Sequence, residues 1–349
     1  MIIMEKDATP AQVKNVIEEI QKCGLRADVS KGEYRTVIGL VGDESRVSFA
    51  HLAVMPGVKE AHMVETPYKL INREYHPESR VIEVGGVKIG GADPVFIAGP
   101  CAIESKAQLF RIAEEIKKAG AHVLRGGIFK PRTSVHSFQG LGAQGDEEAR
   151  EALSWLRDAG RKFEMPTMTE VRGEMQVDLV AEYVDIMQVG ARNMYHQDML
   201  VQIARKNKPV LYKRHFGASV EEMLSFSEYI VAEGNKDVIL CERGIVNIGR
   251  GKSYTRYTLD LSAVPVVQKE TYLPIVVDPS HAAGRRDLIY SMSCASLAVG
   301  ASGLMIEVHY NPAESWVDAQ QAITPAELGR IISTGREISR LTAAGKRSG

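Results

Sequence analysis

Two chemically distinct sets of side chains stand out, each drawn from positions far apart in the chain. The first is Cys101, His281, Glu307 and Asp318. One thiolate, one imidazole and two carboxylates make a mixed soft and hard donor set, suited to a divalent first-row metal such as manganese, iron, cobalt or zinc. His309, His215 and His196 also lie near the ends of apolar runs, so at this stage the imidazole ligand stays open among them and His281. The other cysteines, Cys23, Cys241 and Cys294, read as structural, because a buried thiol behaves mainly as a small hydrophobe. The second set is cationic: Arg125, Lys130, Arg132, Arg192, Lys213 and Arg243, with Arg285 and Arg286 nearby. Arginine grips phosphate or carboxylate with two prongs, and lysine supplies a point charge. In Lys130-Pro131-Arg132-Thr133-Ser134, two hydroxyls stand beside a guanidinium, as a phosphate cradle requires. Nucleic acid does not fit these cations, because aromatic residues make up only 6% of the chain and none interleave with them.

Such scattered residues need a fold that gathers them. From Pro94 onward, apolar runs of strand length alternate with amphipathic segments: VFIAGP, HVLRGG, EMPTMTE, DIMQVG, PVLYKR, VILCERG, PIVVDPSH and GLMIEVH. Eight such runs predict parallel strands covered by helices, an α/β fold of the (β/α)8 TIM-barrel type, whose active sites gather at the C-terminal strand ends. No GxGxxG follows the first run, which disfavours an open dinucleotide-binding sheet. The expected strand ends carry Cys101, Arg125 with Lys130, Glu170, Arg192, Lys213, Arg243, Asp278 with His281, and Glu307. Residues 1–75 read differently: strand Met1–Met4, a helix opened by Thr9-Pro10, strands Leu25–Val29 and Arg35–Val41, a helix near Ser45–Val54, and strand Val58–Val64. That βαββαβ order is ferredoxin-like. Residues 76–93 form a linker and a short hairpin turning at Gly85-Gly86, and 94–349 form the barrel. The 349 residues fit two domains, and 44% hydrophobic with 25% charged residues is globular composition. A net charge of −1 excludes a polybasic nucleic-acid binder or an acidic disordered chain. No apolar run is long enough to span a membrane, MIIMEKDATP is not a secretory signal, and four cysteines make no disulfide framework. A cytoplasmic protein is expected.

The strings AGPCAIES (98–105), LRGGIFKPRTS (124–134), VGARNM (189–194), YKR (212–214), CERGI (241–245), DPSHAAGRRDL (278–288) and GLMIEVH (303–309) carry a resemblance. Together they resemble the 3-deoxy-D-arabino-heptulosonate-7-phosphate (DAHP) synthases, in particular the type I-beta branch with an N-terminal ferredoxin-like regulatory domain. That family condenses phosphoenolpyruvate with erythrose 4-phosphate and releases phosphate, at the entry of the shikimate pathway. The KPRTS string is that of the heptulosonate enzymes; related octulosonate 8-phosphate synthases usually carry Asn-Arg there.

The resemblance implies Cys101, His281, Glu307 and Asp318 as ligands of a divalent metal (Mn2+, Fe2+, Co2+ or Zn2+). It implies Arg125, Lys130, Ala191, Arg192, Lys213 and Arg243 around phosphoenolpyruvate, with Glu170 lining that pocket. Pro131, Arg132, Thr133, Ser134 and Asp278 would take the aldose phosphate. Lys130 is the expected proton donor and Glu170 the residue that orients water, with Cys101 and His281 completing the catalytic set through the metal. A homotetramer is implied, and an aromatic amino acid, tyrosine or phenylalanine, is the expected inhibitor, bound by residues 1–75 as they close over the barrel mouth. Three places depart from the family. His215-Phe216 follow Lys213-Arg214 where Gly and then Met or Pro are usual. Val246-Asn247-Ile248 follow CERGI in a lengthened loop that includes Val246–Lys252, and Tyr195-His196 replace a common Gln-Asn. All fall on loops that would border the second substrate. Two alternatives follow: a synthase of the same superfamily acting on another aldose phosphate, such as arabinose 5-phosphate, and a non-catalytic regulatory paralogue.

Overall fold

Residues 1–32, 35–62, 66–130, 136–249 and 253–346 are described in a computed structural model of the chain. Two compact units result: Met1–Ser79 with Lys269–Tyr272, and Arg80–Gln268 with Leu273–Gly349.

The smaller unit is built on β1 (Ile2–Met4), α1 (Pro10–Lys22), β2 (Arg26–Lys31), β3 (Thr36–Val41), α2 (Phe49–Ala53) and β4 (Val58–Ala61). Thr9 starts α1 with a capping box: its hydroxyl accepts from Gln12 N–H at 3.3 Å, and Gln12 Oε1 accepts from Thr9 N–H at 2.7 Å. The spacing of Val16 and Ile20 turns both into a core with Ile2, Met4, Ile38, Leu40 and Leu52. The sheet runs β2-β3-β1-β4 with antiparallel neighbours, the ferredoxin-like order expected. The second helix is shorter than its sequence pattern suggests. Ser48 caps a fresh start by accepting from His51 N–H at 3.3 Å, so Glu44–Arg46 remains a separate 3-10 turn.

The larger unit opens with a hairpin, β5 (Ile82–Val84) and β6 (Val87–Ile89), turned at Gly85-Gly86. Eight parallel strands then close in chain order: β7 (Val95–Gly99), β8 (Val123–Arg125), β9 (Thr167–Val171), β10 (Ile186–Val189), β11 (Val210–Lys213), β12 (Val238–Glu242), β13 (Ile275–Val277) and β14 (Gly303–Glu307). The ring is sealed where β14 pairs with β7, Glu307 opposite Gly99. Around it run α3 (Lys106–Ala119), α4 (Asp146–Lys162), α5 (Val177–Tyr183), α6 (Gln197–Ala204), α7 (Val220–Ala232), α8 (Ala263–Glu270), α9 (Pro279–Ala283), α10 (Arg286–Ala298) and α11 (Pro325–Lys346). Among the described residues, no helix is long and apolar enough to cross a membrane.

Strand alternation explains where the chemistry ends up. One buried cluster holds Val95, Ile97, Val123, Met168, Ile186, Leu211, Ile239, Cys241, Val276 and Met305, with Ile82 and Ile89 of the hairpin against it. Side chains two apart share a face, so the next inward positions are Gly99, Arg125, Glu170, Gln188, Lys213, Arg243, Asp278 and Glu307. The barrel interior therefore passes from an apolar plug to a polar layer within one step along each strand. Gly99 is the exception that lets the layer form. Its φ is 150°, and a Cβ there would come within 2.0 Å of the Arg125 carbonyl oxygen, on the strand it pairs with. We predict that Gly99→Ala destabilises the fold by at least about 2 kcal/mol, read as a lowered urea midpoint. An unchanged midpoint would contradict the close approach of β7 and β8.

Candidate active site

At the polar layer, Glu307 is the meeting point. Its carboxylate is 1% exposed. Oε1 accepts from Arg125 Nη1 at 2.9 Å and lies 3.2 Å from His281 Nε2, while Oε2 accepts from Gln321 Nε2 at 2.6 Å. Burial opposes its charge, but His281, Arg125 and Lys130 outweigh burial and hold the carboxyl well below the usual range. Its backbone N–H donates to Ser280 Oγ at 3.0 Å, which ties β14 to α9.

Cys101 follows β7, and its Sγ lies 3.3 Å from Asp318 Oδ2. The ligating atoms of Cys101, Glu307 and Asp318 all fall within 4.8 Å of one another. His281 approaches this trio through Glu307. Its ring is oriented by Asp278, whose Oδ2 lies 2.6 Å from His281 Nδ1, an arrangement that directs Nε2 toward the cluster. Burial, working against the pull of Asp278, lowers the His281 pKa and so favours a neutral ring able to ligate. Burial, reinforced by Glu307, pushes the Cys101 thiol well up. Asp318 has a φ of 52°, unusual for a residue with a side chain. Its turn is braced by Arg286, which donates to the carbonyls of Ala319, Gln320 and Ala322. The donor set of sulfur, imidazole and two carboxylates, gathered and largely removed from water, fits a divalent transition metal.

The histidine alternatives separate on position. His309 is buried, with Nδ1 accepting from Asn311 N–H at 3.1 Å. His196 accepts from Met199 N–H at the start of α6 and faces Glu174. His215 stands in the loop after β11. His281 is set apart from these three by its contact with that group, Nε2 lying 3.2 Å from Glu307 Oε1.

The cations divide as well. Arg125, Lys130, Lys213 and Arg243 are buried. Lys213 Nζ donates to Asp278 Oδ2 at 2.7 Å, so one carboxylate links Lys213 to His281. Burial opposes the charge on Lys130, but Cys101 and Glu307 outweigh it, and the amine stays protonated with a raised pKa. The Arg243 guanidinium lies 4.3 Å from the Tyr257 ring centroid. Its Nη1 is buried without a hydrogen-bond partner among the described residues, which leaves a donor for an anion. Arg192 is exposed, in the turn Ala191–Asn193 after β10. Glu170 accepts from Gln188 Nε2 at 2.7 Å, and a Cβ on Gly190 would come within 2.1 Å of its Oε1. Arg285 pairs with Asp287, and Arg286 is spent on the Asp318 turn, so neither joins the anion set. Asp278, expected beside the aldose phosphate, is 0% exposed; its Oδ2 accepts from Lys213 Nζ and faces His281 Nδ1, and its Oδ1 accepts from His281 N–H at 3.0 Å. Pro131, Arg132, Thr133 and Ser134 lie outside the described residues.

Several site residues carry no motif of their own. Gln188 and Gln321 are neutral amides that orient Glu170 and Glu307, and Arg256 reaches both Gln321 (3.4 Å) and Asp318 (4.0 Å). Counting by twos along β10 would have found Gln188. Gln321 follows β14 in a loop with no such register.

Comparisons with known proteins identify the family and the fold. The DAHP synthetase I family matches residues 68–344, and the DAHP synthase ferredoxin-like domain matches 1–66. The chain belongs to the DAHP synthetase I family. It is thus a carbon–carbon bond-forming enzyme with an added ferredoxin-like domain. A Thermotoga maritima protein named phospho-2-dehydro-3-deoxyheptonate aldolase is 43% identical over 323 residues, 93% of each chain. The crystal structure under that name from the same organism is similar with a TM-score of 0.74 and 41% identity, covering 98% of this chain and 96% of that one. A Geobacter sulfurreducens 2-dehydro-3-deoxyphosphooctonate aldolase is 29% identical over 75% of this chain and 99% of its own.

Behind the cations lies a second buried ion group. Strand alternation turns Lys213 inward and Arg214 outward, where Arg214 Nη1 donates to Glu242 at 2.9 Å and Asp260 at 2.8 Å. Glu242, 0% exposed, also accepts from Gly244 N–H at 2.7 Å and so fixes the backbone on either side of Arg243. Arg214→Met would leave that carboxylate buried and uncompensated. We predict a loss of about 3–5 kcal/mol in stability by urea unfolding. A loss under about 1 kcal/mol would show that the trio does not brace the loop.

Proposed function

We propose that the chain joins phosphoenolpyruvate to erythrose 4-phosphate, giving 3-deoxy-D-arabino-heptulosonate 7-phosphate and phosphate in the shikimate pathway. The observation that carries this reading is that the Cys101–Glu307–Asp318 cluster and the buried cations meet at one carboxylate, Glu307. Arg125, Lys130, Lys213 and Arg243, with Arg192 and the Ala191 backbone, would hold the carboxylate and phosphate of phosphoenolpyruvate. Arg132, Thr133 and Ser134 would receive the aldose phosphate. Cys101, His281, Glu307 and Asp318 would hold a divalent metal, which when bound supplies Lewis acidity toward a carbonyl or water oxygen.

The work of the chain's own groups follows from their placement. The cations fix C3 of phosphoenolpyruvate against the aldehyde carbon and neutralise its charge. A carbon–carbon bond forms there, and Lys130, kept protonated in its buried setting, gives a proton to the developing alkoxide. Glu170, oriented by Gln188, positions the water that adds at C2. The resulting hemiketal expels phosphate with cleavage of its C2–O bond, so one water is consumed for each phosphate released. The smaller unit would bind tyrosine or phenylalanine as a feedback signal, in a homotetramer in the cytoplasm.

The competing acceptor is arabinose 5-phosphate, the reading favoured by the octulosonate relatives at 27–30% identity. The 43% relative and the matched ferredoxin-like domain favour the heptulosonate product. Mass spectrometry of the products, with phosphate release followed against both aldoses, tests this. We expect the seven-carbon product, with turnover on erythrose 4-phosphate at least tenfold above arabinose 5-phosphate; the reverse order would overturn the assignment. In the same assay, tyrosine or phenylalanine should slow the full chain and spare a chain beginning at Val81.

A further inference from the structure

His215 stands where the sequence departs from its family, and its surroundings give it a defined chemical form. Its Nδ1 accepts from Gly217 N–H at 3.0 Å, so the neutral ring carries its proton on Nε2 and is a donor there. Partial burial, together with the charges of Arg243 and Arg192 and against the opposing pull of Glu222, lowers its pKa and keeps it in that form near neutrality.

The ring is also held in place. Its centroid lies 4.0 Å from that of Phe216 and 5.4 Å from that of Tyr195. Phe216 stacks on Tyr257 at 5.4 Å and 22°, and Tyr257 carries the Arg243 guanidinium. On the other side, Tyr195 meets Phe226 edge-on at 5.0 Å, and its hydroxyl donates to Glu222 on α7. A row of rings thus runs from a buried guanidinium, whose Nη1 has no partner among the described residues, to α7, with His215 inside it.

We propose that His215 is a further anion-binding residue, whose Nε2–H joins Arg192 and Arg243 in holding the phosphate group of phosphoenolpyruvate. This rests on the reading of the barrel mouth as the phosphoenolpyruvate site. Shape and charge favour the phosphate over the carboxylate. The acceptor lone pairs of a carboxylate lie in one plane, whereas a phosphate carries more charge and spreads three terminal oxygens over a pyramid, which suits donors converging from two guanidiniums and an imidazole. The donor is rigid and already stacked, so little side-chain freedom is lost on binding.

Titration calorimetry on the full chain with phosphoenolpyruvate, inorganic phosphate and pyruvate tests the assignment. His215→Phe keeps the ring stack and removes the donor; it should weaken phosphoenolpyruvate and phosphate about tenfold, as expected for a hydrogen bond to a charged group, and leave pyruvate within about twofold. His215→Gln retains a donor and should lose less than about threefold. In turnover, His215→Phe should raise the KM for phosphoenolpyruvate more than it lowers kcat. Unchanged phosphate and phosphoenolpyruvate affinity in His215→Phe would overturn this proposal alone. Equal losses for all three ligands would also overturn it, because they would mean a deformed site rather than a missing donor. An unaltered protein that binds neither phosphoenolpyruvate nor phosphate would overturn the site reading and this proposal with it.

Discussion

A carboxylate buried at the centre of a closed barrel is the constraint on which the rest of this structure depends. Glu307 cannot keep its charge away from water unless cations and donors surround it. Arg125 and His281 share one of its oxygens, and Gln321 takes the other. Those partners are in turn fixed by others: His281 by Asp278, Asp278 by Lys213, and Gln321 by Arg256. The network therefore couples the two halves of the site. A metal held by Cys101, Glu307 and Asp318 and an anion held by Arg125 and Lys213 would act on the same few groups, so the field at the reacting atoms is set before substrate arrives.

The barrel was largely legible because its logic is periodic. Eight apolar runs predict eight strands, and all eight form within a few residues of the expected places. The sorting of strand-end residues into a sulfur-containing donor set and a cation set also needs only residue types. What could not be read is how neighbouring charges are spent once the barrel closes. Lys213 and Arg214 look alike in sequence, yet alternation sends one to the mouth and the other to Glu242 and Asp260 behind it. Asp278 reads as a group facing substrate, and nothing in the sequence shows that the same carboxylate also links Lys213 to His281. Gln188 and Gln321 escape notice because an amide has no charge to announce it. The grouping of Lys269–Tyr272 with the smaller unit, 190 and more residues away in sequence, has no local signal at all.

The departures from the family pattern, separate in sequence, form one feature in space. The loop after β11 and the loop after β12 are bonded through Val246 N–H to the Phe216 carbonyl at 2.7 Å, and Ile245 bridges to Thr258 beside Tyr257. Tyr195, from the third departure, closes the row of rings on His215. Changing one of these segments alone would leave aromatic faces without partners. Their joint presence gives this chain a row of rings beside Arg243 that a glycine at position 215 would interrupt.

If Cys101 shares a metal shell with Glu307 and Asp318, X-ray absorption at the zinc edge will show its sulfur in protein loaded with one equivalent of zinc. One sulfur scatterer at about 2.3 Å alongside nitrogen and oxygen neighbours is the predicted shell. A shell of nitrogen and oxygen alone would contradict it.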